Sequence, residues 1–68
     1  MTNFEKTIRK KMIDNGVRVV DIARALEITS PSVIGFIRGA SKSQRFDTWV
    51  HENLGLDLEE LREETVAV

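Results

Sequence analysis

Apolar residues in this chain fall into short runs spaced for helices, and turn chemistry separates the runs. Phe4, Ile8 and Met12 repeat every four positions, a stripe that drifts slowly round a 3.6-residue spiral and suits packing across two neighbouring helices. Ahead of it, Thr2, Asn3, Phe4 and Glu5 fit a capping box, in which threonine accepts the amide three residues on and Glu5 reaches back. Asn15 and Gly16 end that run. Val19, Ile22, Ala23 and Leu26 then form a stripe at i, i+3, i+4 and i+7, with Asp21, Arg24 and Glu27 opposite. Pro31 cannot sit inside a continuing helix, because it lacks an N–H and disfavours helical geometry in the residue before it.

The chain therefore turns at Ile28–Thr29, and Ser30 as a cap with Pro31 at the first helical position predicts a restart. Val33, Phe36 and Ile37 share the inward face of this third helix, and Gly39 supplies its stop. Ser43 can cap a fourth helix with Phe46, Trp49, Val50 and Leu54 inward; Gly55 breaks it, and Asp57 starts a fifth with Leu58 and Leu61 inward. The expected fold is all-α and compact, with four to five helices at about 3–14, 19–26, 31–38, 44–53 and 57–63. Residues 65–68 are read as a short apolar tail, either disordered or used in association.

The outward face of the third helix is unusual for a solvated surface. Pro31, Gly35 and Arg38 occupy it and Ser32 and Ile34 flank it, so it is small, nearly uncharged and suited to lying against another polymer. The loop that follows, Gly39 to Gln44 with the sequence GASKSQ, is small and polar, and its backbone amides, Ser41, Ser43 and Lys42 can approach a phosphate closely. Its ordinary alternative is a plain connection between helices.

The overall charge of −1 at first opposes a nucleic-acid partner, but the placement of the charges along the chain reverses that inference. Residues 1–45 hold nine basic side chains against four acidic, a surplus of +5; residues 46–68 hold Arg62 against seven acidic side chains, a deficit of −6. An acidic end can orient the molecule with its basic end toward phosphates. Arg9, Lys10 and Lys11 are consecutive and point in different directions, so they read as a solvated cationic face rather than a binding stripe.

Ala23, Ile28 after a turn, Val33 and Phe36, then Arg38-Gly39 and a polar loop, resemble the helix-turn-helix of the phage Cro and cI repressors, the lambda-repressor-like family. Ser30-Pro31-Ser32 is also similar to the opening of the reading helix in Ner-type regulators of transposable phages. The resemblance spans roughly residues 4 to 62. It departs at Glu27, where the family carries a glycine that permits a left-handed backbone.

The resemblance implies a sequence-specific, double-stranded DNA-binding transcriptional regulator, a phage or mobile-element repressor that acts by occluding its operator. Its third helix would enter the major groove with Ser30, Ser32, Ile34, Gly35 and Arg38 as base-reading candidates. Arg18, Val19, Arg38, Ser41, Lys42, Ser43 and Arg45 are the phosphate-binding candidates. Val17 and Arg18 bring no side-chain cap to the second helix, so its first amides read as either facing a phosphate or facing water. A symmetric homodimer on a palindromic operator is likewise implied, with Leu54, Leu56, Leu61, Val66 and Val68 forming its interface, completing the core or binding nothing; a monomer on tandem sites is the alternative.

Other readings are weaker or remain as an alternative. No nucleophile-base pairing, paired carboxylates or glycine-rich phosphate loop supports an enzyme. His51 stands without a second histidine or any cysteine, so neither a metal nor a cofactor is expected. The absence of cysteine, of a signal-like segment and of a long apolar run fits a cytoplasmic, nucleoid-associated protein with no membrane partner. Sixty-eight residues make one small domain, leaving no room for a small-molecule effector domain. The alternative function is a protein-interaction module, antirepressor or antitoxin-like, that keeps a helix-turn-helix shape without reading DNA.

Overall fold

In the computed structural model, which describes the backbone of residues 2–66 and side chains through residue 63, five helices follow one another. They are α1 (Asn3–Asp14), α2 (Val19–Leu26), α3 (Ser30–Ile37), α4 (Gln44–Leu54) and α5 (Leu58–Val66). No strand occurs among the described residues, and no helix is long and apolar enough to cross a membrane. The radius of gyration of 11.1 Å matches the roughly 11 Å expected of a compact chain of this length.

Each helix contributes side chains to one core. Ile8, Ile22, Val33, Ile37, Phe46 and Val50 are sealed from solvent, with Phe4, Met12, Leu26, Leu54, Leu58 and Leu61 around them. Trp49 packs against this cluster from a half-buried position, and the Phe36 and Phe46 rings meet at 5.4 Å. Such apolar burial is the main force holding a domain of this size. Helix α3 lies between α2 and α1, while α5 bridges α1 and α4.

Several local details differ from expectation. Helix α3 begins one residue early: Thr29, not Ser30, is its cap, its Oγ1 accepting the Ser32 amide at 3.4 Å. Thr29 has the extended backbone a cap requires, whereas Ser30 already has joined the helix and Pro31 sits at its second position. In α1, Thr2 accepts the Glu5 amide at 3.1 Å, but Glu5 does not complete the box. Its carboxylate turns along the helix to Arg9 Nε at 2.9 Å, a charge-assisted bond four residues on, and is largely buried there. Arg9 is thus half-buried and paired, while Lys10 and Lys11 are exposed.

Helix α5 runs to Val66, so Thr65 and Val66 belong to a helix rather than to a free tail; Ala67 and Val68 lie outside the described residues. Leu54, Leu58 and Leu61 are consumed by the core and Leu56 packs on it half-buried. Leu54, Leu56 and Leu61 therefore complete the domain and offer no exposed apolar face for a dimer. A bidentate ion pair holds α5 to α4: Arg62 donates to both Asp47 carboxylate oxygens, at 2.8 and 2.9 Å, with its guanidinium carbon 5.4 Å from the centre of the Phe4 ring. The hydrogen bond to Asp47 raises the guanidinium pKa above its ordinary value; burial opposes this, and the charges of Asp47 and Glu59 add to it.

Candidate nucleic-acid interface

The backbone between α2 and α3 is set by a repeated helix ending. At the end of α1 the Val17 amide donates to the Met12 carbonyl at 2.8 Å and the Gly16 amide to Ile13 at 3.1 Å, with Gly16 at φ +67°. At the end of α3 Ala40 donates to Gly35 at 3.0 Å and Gly39 to Phe36 at 3.2 Å, with Gly39 at φ +79°. Both are Schellman endings, which need one left-handed residue. Helix α2 ends the same way, Ile28 donating to Ala23 at 3.0 Å and Glu27 to Arg24 at 3.3 Å. Here the left-handed residue, at φ 57° and ψ 45°, is Glu27. Glutamate therefore holds a left-handed position that glycine holds after α1 and α3.

Arg45 completes this ending from a distance. Its Nη2 donates to the Leu26 carbonyl at 2.9 Å, satisfying one of the carbonyls that a helix end leaves free. Arg45 thereby ties the start of α4 to the α2–α3 turn. This internal role was not evident in the sequence, because the two partners stand 19 residues apart.

At the start of α2 the Asp21 carboxylate accepts the Arg18 amide at 2.9 Å, so one of the amides expected to lack a side-chain partner has one. Asp21 also faces Arg18 Nε at 3.6 Å. That pair is exposed and contributes little. Val19 is half-buried and packs against the core.

Helix α3 presents two unlike faces. Val33 and Ile37 are sealed inside, while Pro31, Ser32 and Arg38 are exposed and Ser30, Ile34 and Gly35 are half-buried. Ile34 stands apart from the core cluster. Thr29 and Ser32 bring their hydroxyl oxygens to 2.9 Å at the start of the helix.

The loop after α3 folds back over the helix. Ala40 and Ser41 amides both donate to the Gly35 carbonyl, and a Cβ built on Gly35 would lie 3.6 Å from Ser41 Oγ. A Cβ at Gly35 would therefore make only an ordinary van der Waals contact with Ser41, and the loop does not require glycine's small size. Arg38, three residues further on, is exposed beside this loop, as are Ser41 and Lys42. Ser43 is already engaged: its Oγ accepts the Phe46 amide at 3.3 Å as the cap of α4.

The structure brings together only part of the expected clamp. Arg38 and Lys42 have no carboxylate partner among the described residues. Lys42, however, borders a cleft that also holds Asp47, Asp57 and Glu59, whereas Arg45 lines a separate cleft with Leu26, Trp49 and Glu52. The two cations therefore flank the first turn of α4 instead of sharing one concavity. Exposed His51 joins the Lys42 cleft, and among the described residues no cluster of three or more histidine or acidic side chains is placed to hold a metal.

No protein-family model, curated protein or solved structure matches the chain.

Proposed function

We propose that this protein is a sequence-specific regulator of transcription that binds double-stranded DNA through α3, in the manner of a lambda-repressor-like helix-turn-helix, and acts by occluding its operator. The observation that carries the reading is the asymmetry of α3. One face is locked into the core by Val33 and Ile37. The other exposes Ser32 and leads to Arg38, which has no carboxylate partner among the described residues, and the helix itself holds no acidic residue. An exposed helix start of small and hydroxyl side chains fits a major groove, and the cation at the end of the helix fits a phosphate. The surplus of positive charge in residues 1–45 supports the same orientation. On this reading Arg38, Lys42, Ser41 and Arg18 hold the backbone, Ser30, Ser32 and Ile34 face bases, and Arg45 and Ser43 chiefly hold the frame. No catalytic step is part of the function.

Ile13, 79% exposed at the end of α1 beside half-buried Val17 and Val19, favours a second reading, a protein-interaction module. Fluorescence anisotropy separates the two. Labelled duplex from the gene's upstream region and a scrambled duplex are titrated at several salt concentrations with wild type, Arg38→Ala and Lys42→Ala. Preference for the upstream duplex, steep weakening with salt, and a slope reduced by about one in each variant support DNA reading. Equal weak binding to both duplexes, with the slope unmoved by either substitution, refutes it and leaves the protein-interaction module.

A further inference from the structure

The two hydroxyls at the start of α3 make a chemical unit that neither makes alone. Thr29 Oγ1 and Ser32 Oγ are 2.9 Å apart and both residues are exposed. Each hydroxyl brings one proton and two lone pairs. Because the oxygens are bonded to each other, one of the two protons lies between them and a single proton remains to be offered outward. Thr29 Oγ1 also accepts the Ser32 amide, at 3.4 Å. If Ser32 donates to Thr29, both Thr29 lone pairs are occupied; Thr29 then presents a donor and Ser32 an acceptor. If Thr29 donates to Ser32, the roles exchange, with Ser32 the donor and the remaining Thr29 lone pair the acceptor. Either way, one oxygen donates and its neighbour accepts.

We infer that Thr29 and Ser32 act together as a bidentate reader of adenine, in the role an asparagine or glutamine amide fills elsewhere. The inference rests on the DNA-binding reading and specifies its base. In the major groove adenine offers an acceptor at N7 beside a donor at N6, which the pair matches in both of its proton arrangements. Guanine offers two acceptors, N7 and O6, which the pair can meet with two outward protons only by giving up the Thr29–Ser32 bond. The bond given up is what discriminates against guanine, by about 0.5–1.5 kcal/mol, which is up to about tenfold in affinity. Thymine and cytosine each present a single polar group in the groove and make one contact only. Thr29 is therefore a specificity residue as well as a cap, and Ser32 reads only as half of the pair.

The test is selection of duplexes from a random library with the full chain, followed by anisotropy on the selected duplex and its single-base-pair variants. Wild type is expected to prefer an A·T pair at one position, losing up to about tenfold in affinity when it becomes G·C. Ser32→Ala brings that position near parity and leaves the others unchanged. Thr29→Asp keeps an acceptor for the cap but removes the proton, and it also loses the adenine preference; Thr29→Ser retains it. Replacing the adenine by 7-deazaadenine weakens wild type and does not further weaken Ser32→Ala. Thermal melting of each variant confirms that it is folded. A library that yields no motif overturns the DNA-binding reading itself. A motif whose every position keeps its preference in both Ser32→Ala and Thr29→Asp, or whose affected position is G·C, overturns the adenine reader while DNA binding stands.

Discussion

Glu27 is the one non-glycine residue with positive φ among the described residues, and replacing it by glycine should make the protein more stable. An L-residue in the left-handed region costs about 1–2 kcal/mol relative to its preferred conformations. Glycine removes that cost but gives back roughly 0.5–1 kcal/mol through the greater freedom of the unfolded chain. The net for Glu27→Gly is a gain of about 0.5–1 kcal/mol. Losing a carboxylate from the negative end of α2 acts in the same direction. With an unfolding entropy of about 2.1 cal/mol/K per residue, this 68-residue chain should melt about 4–7 °C higher. Circular dichroism melts, paired with urea titrations at unchanged m-value, measure the effect.

Gly16 provides the mirror experiment. It occupies the corresponding position after α1, at φ +67°, and a Cβ there would meet nothing within 4 Å. Gly16→Ala therefore isolates the backbone term and should destabilise by a similar 0.5–1 kcal/mol or so. A neutral Gly16→Ala would refute the conformational argument outright. If Gly16→Ala destabilises as expected but Glu27→Gly does too, the Glu27 side chain makes a stabilising interaction that outweighs its strain.

Two further substitutions probe the frame. Arg62→Met removes both bonds to Asp47 and leaves its largely buried carboxylate without them, costing about 1–3 kcal/mol by urea titration; a cost no larger than that of an exposed arginine would show the pair to be incidental. The raised pKa of Arg62 places its stabilisation fully below the ordinary arginine value, to be lost only as pH climbs past the raised one, so this contribution is constant across neutral pH. Arg45→Met should cost about 0.5–1.5 kcal/mol for the lost Leu26 bond, and any loss of DNA affinity should leave the salt slope at its wild-type value. A slope lowered by about one, with stability unchanged, would return Arg45 to the phosphate-binding set.

What could be read from the sequence and what could not divide along a physical line. The inward stripes of α1 to α5 follow from helical periodicity, and Phe4, Ile8, Met12, Ile22, Leu26, Val33, Ile37, Phe46, Val50, Leu54, Leu58 and Leu61 all lie in the core. Ser43 and Asp57 act as caps because their signal is local. At α3 two adjacent hydroxyl residues competed for one cap, and backbone geometry gave it to Thr29. Glu5 turned to Arg9 because a charged partner one helical turn away is a stronger attraction than a neutral amide. The bonds from Arg45 to Leu26 and from Arg62 to Asp47 span 19 and 15 residues, and no local pattern announces them. One sign was available for Arg62: it is the sole basic residue after position 45, an isolated cation among seven acids.

The acid-rich end consequently has a structural part in the domain. Leu58 and Leu61 bury α5 against the domain, and Arg62 fastens it to α4 through Asp47 while lying over Phe4 of α1. Helix α1 in turn packs on α3, so the outermost helix supports the element proposed to read DNA through two steps of packing. Arg45 supplies a second route, from α4 to the end of α2 immediately before the turn into α3. In a chain this small, where the core alone leaves little reserve, both routes matter to how rigidly α3 is presented. Weakening either one should loosen recognition without removing a single contact to a phosphate, whereas substitutions at Arg38 and Lys42 should weaken affinity without loosening the frame. Stability and salt slope, measured on the same variants, separate those two ways of failing.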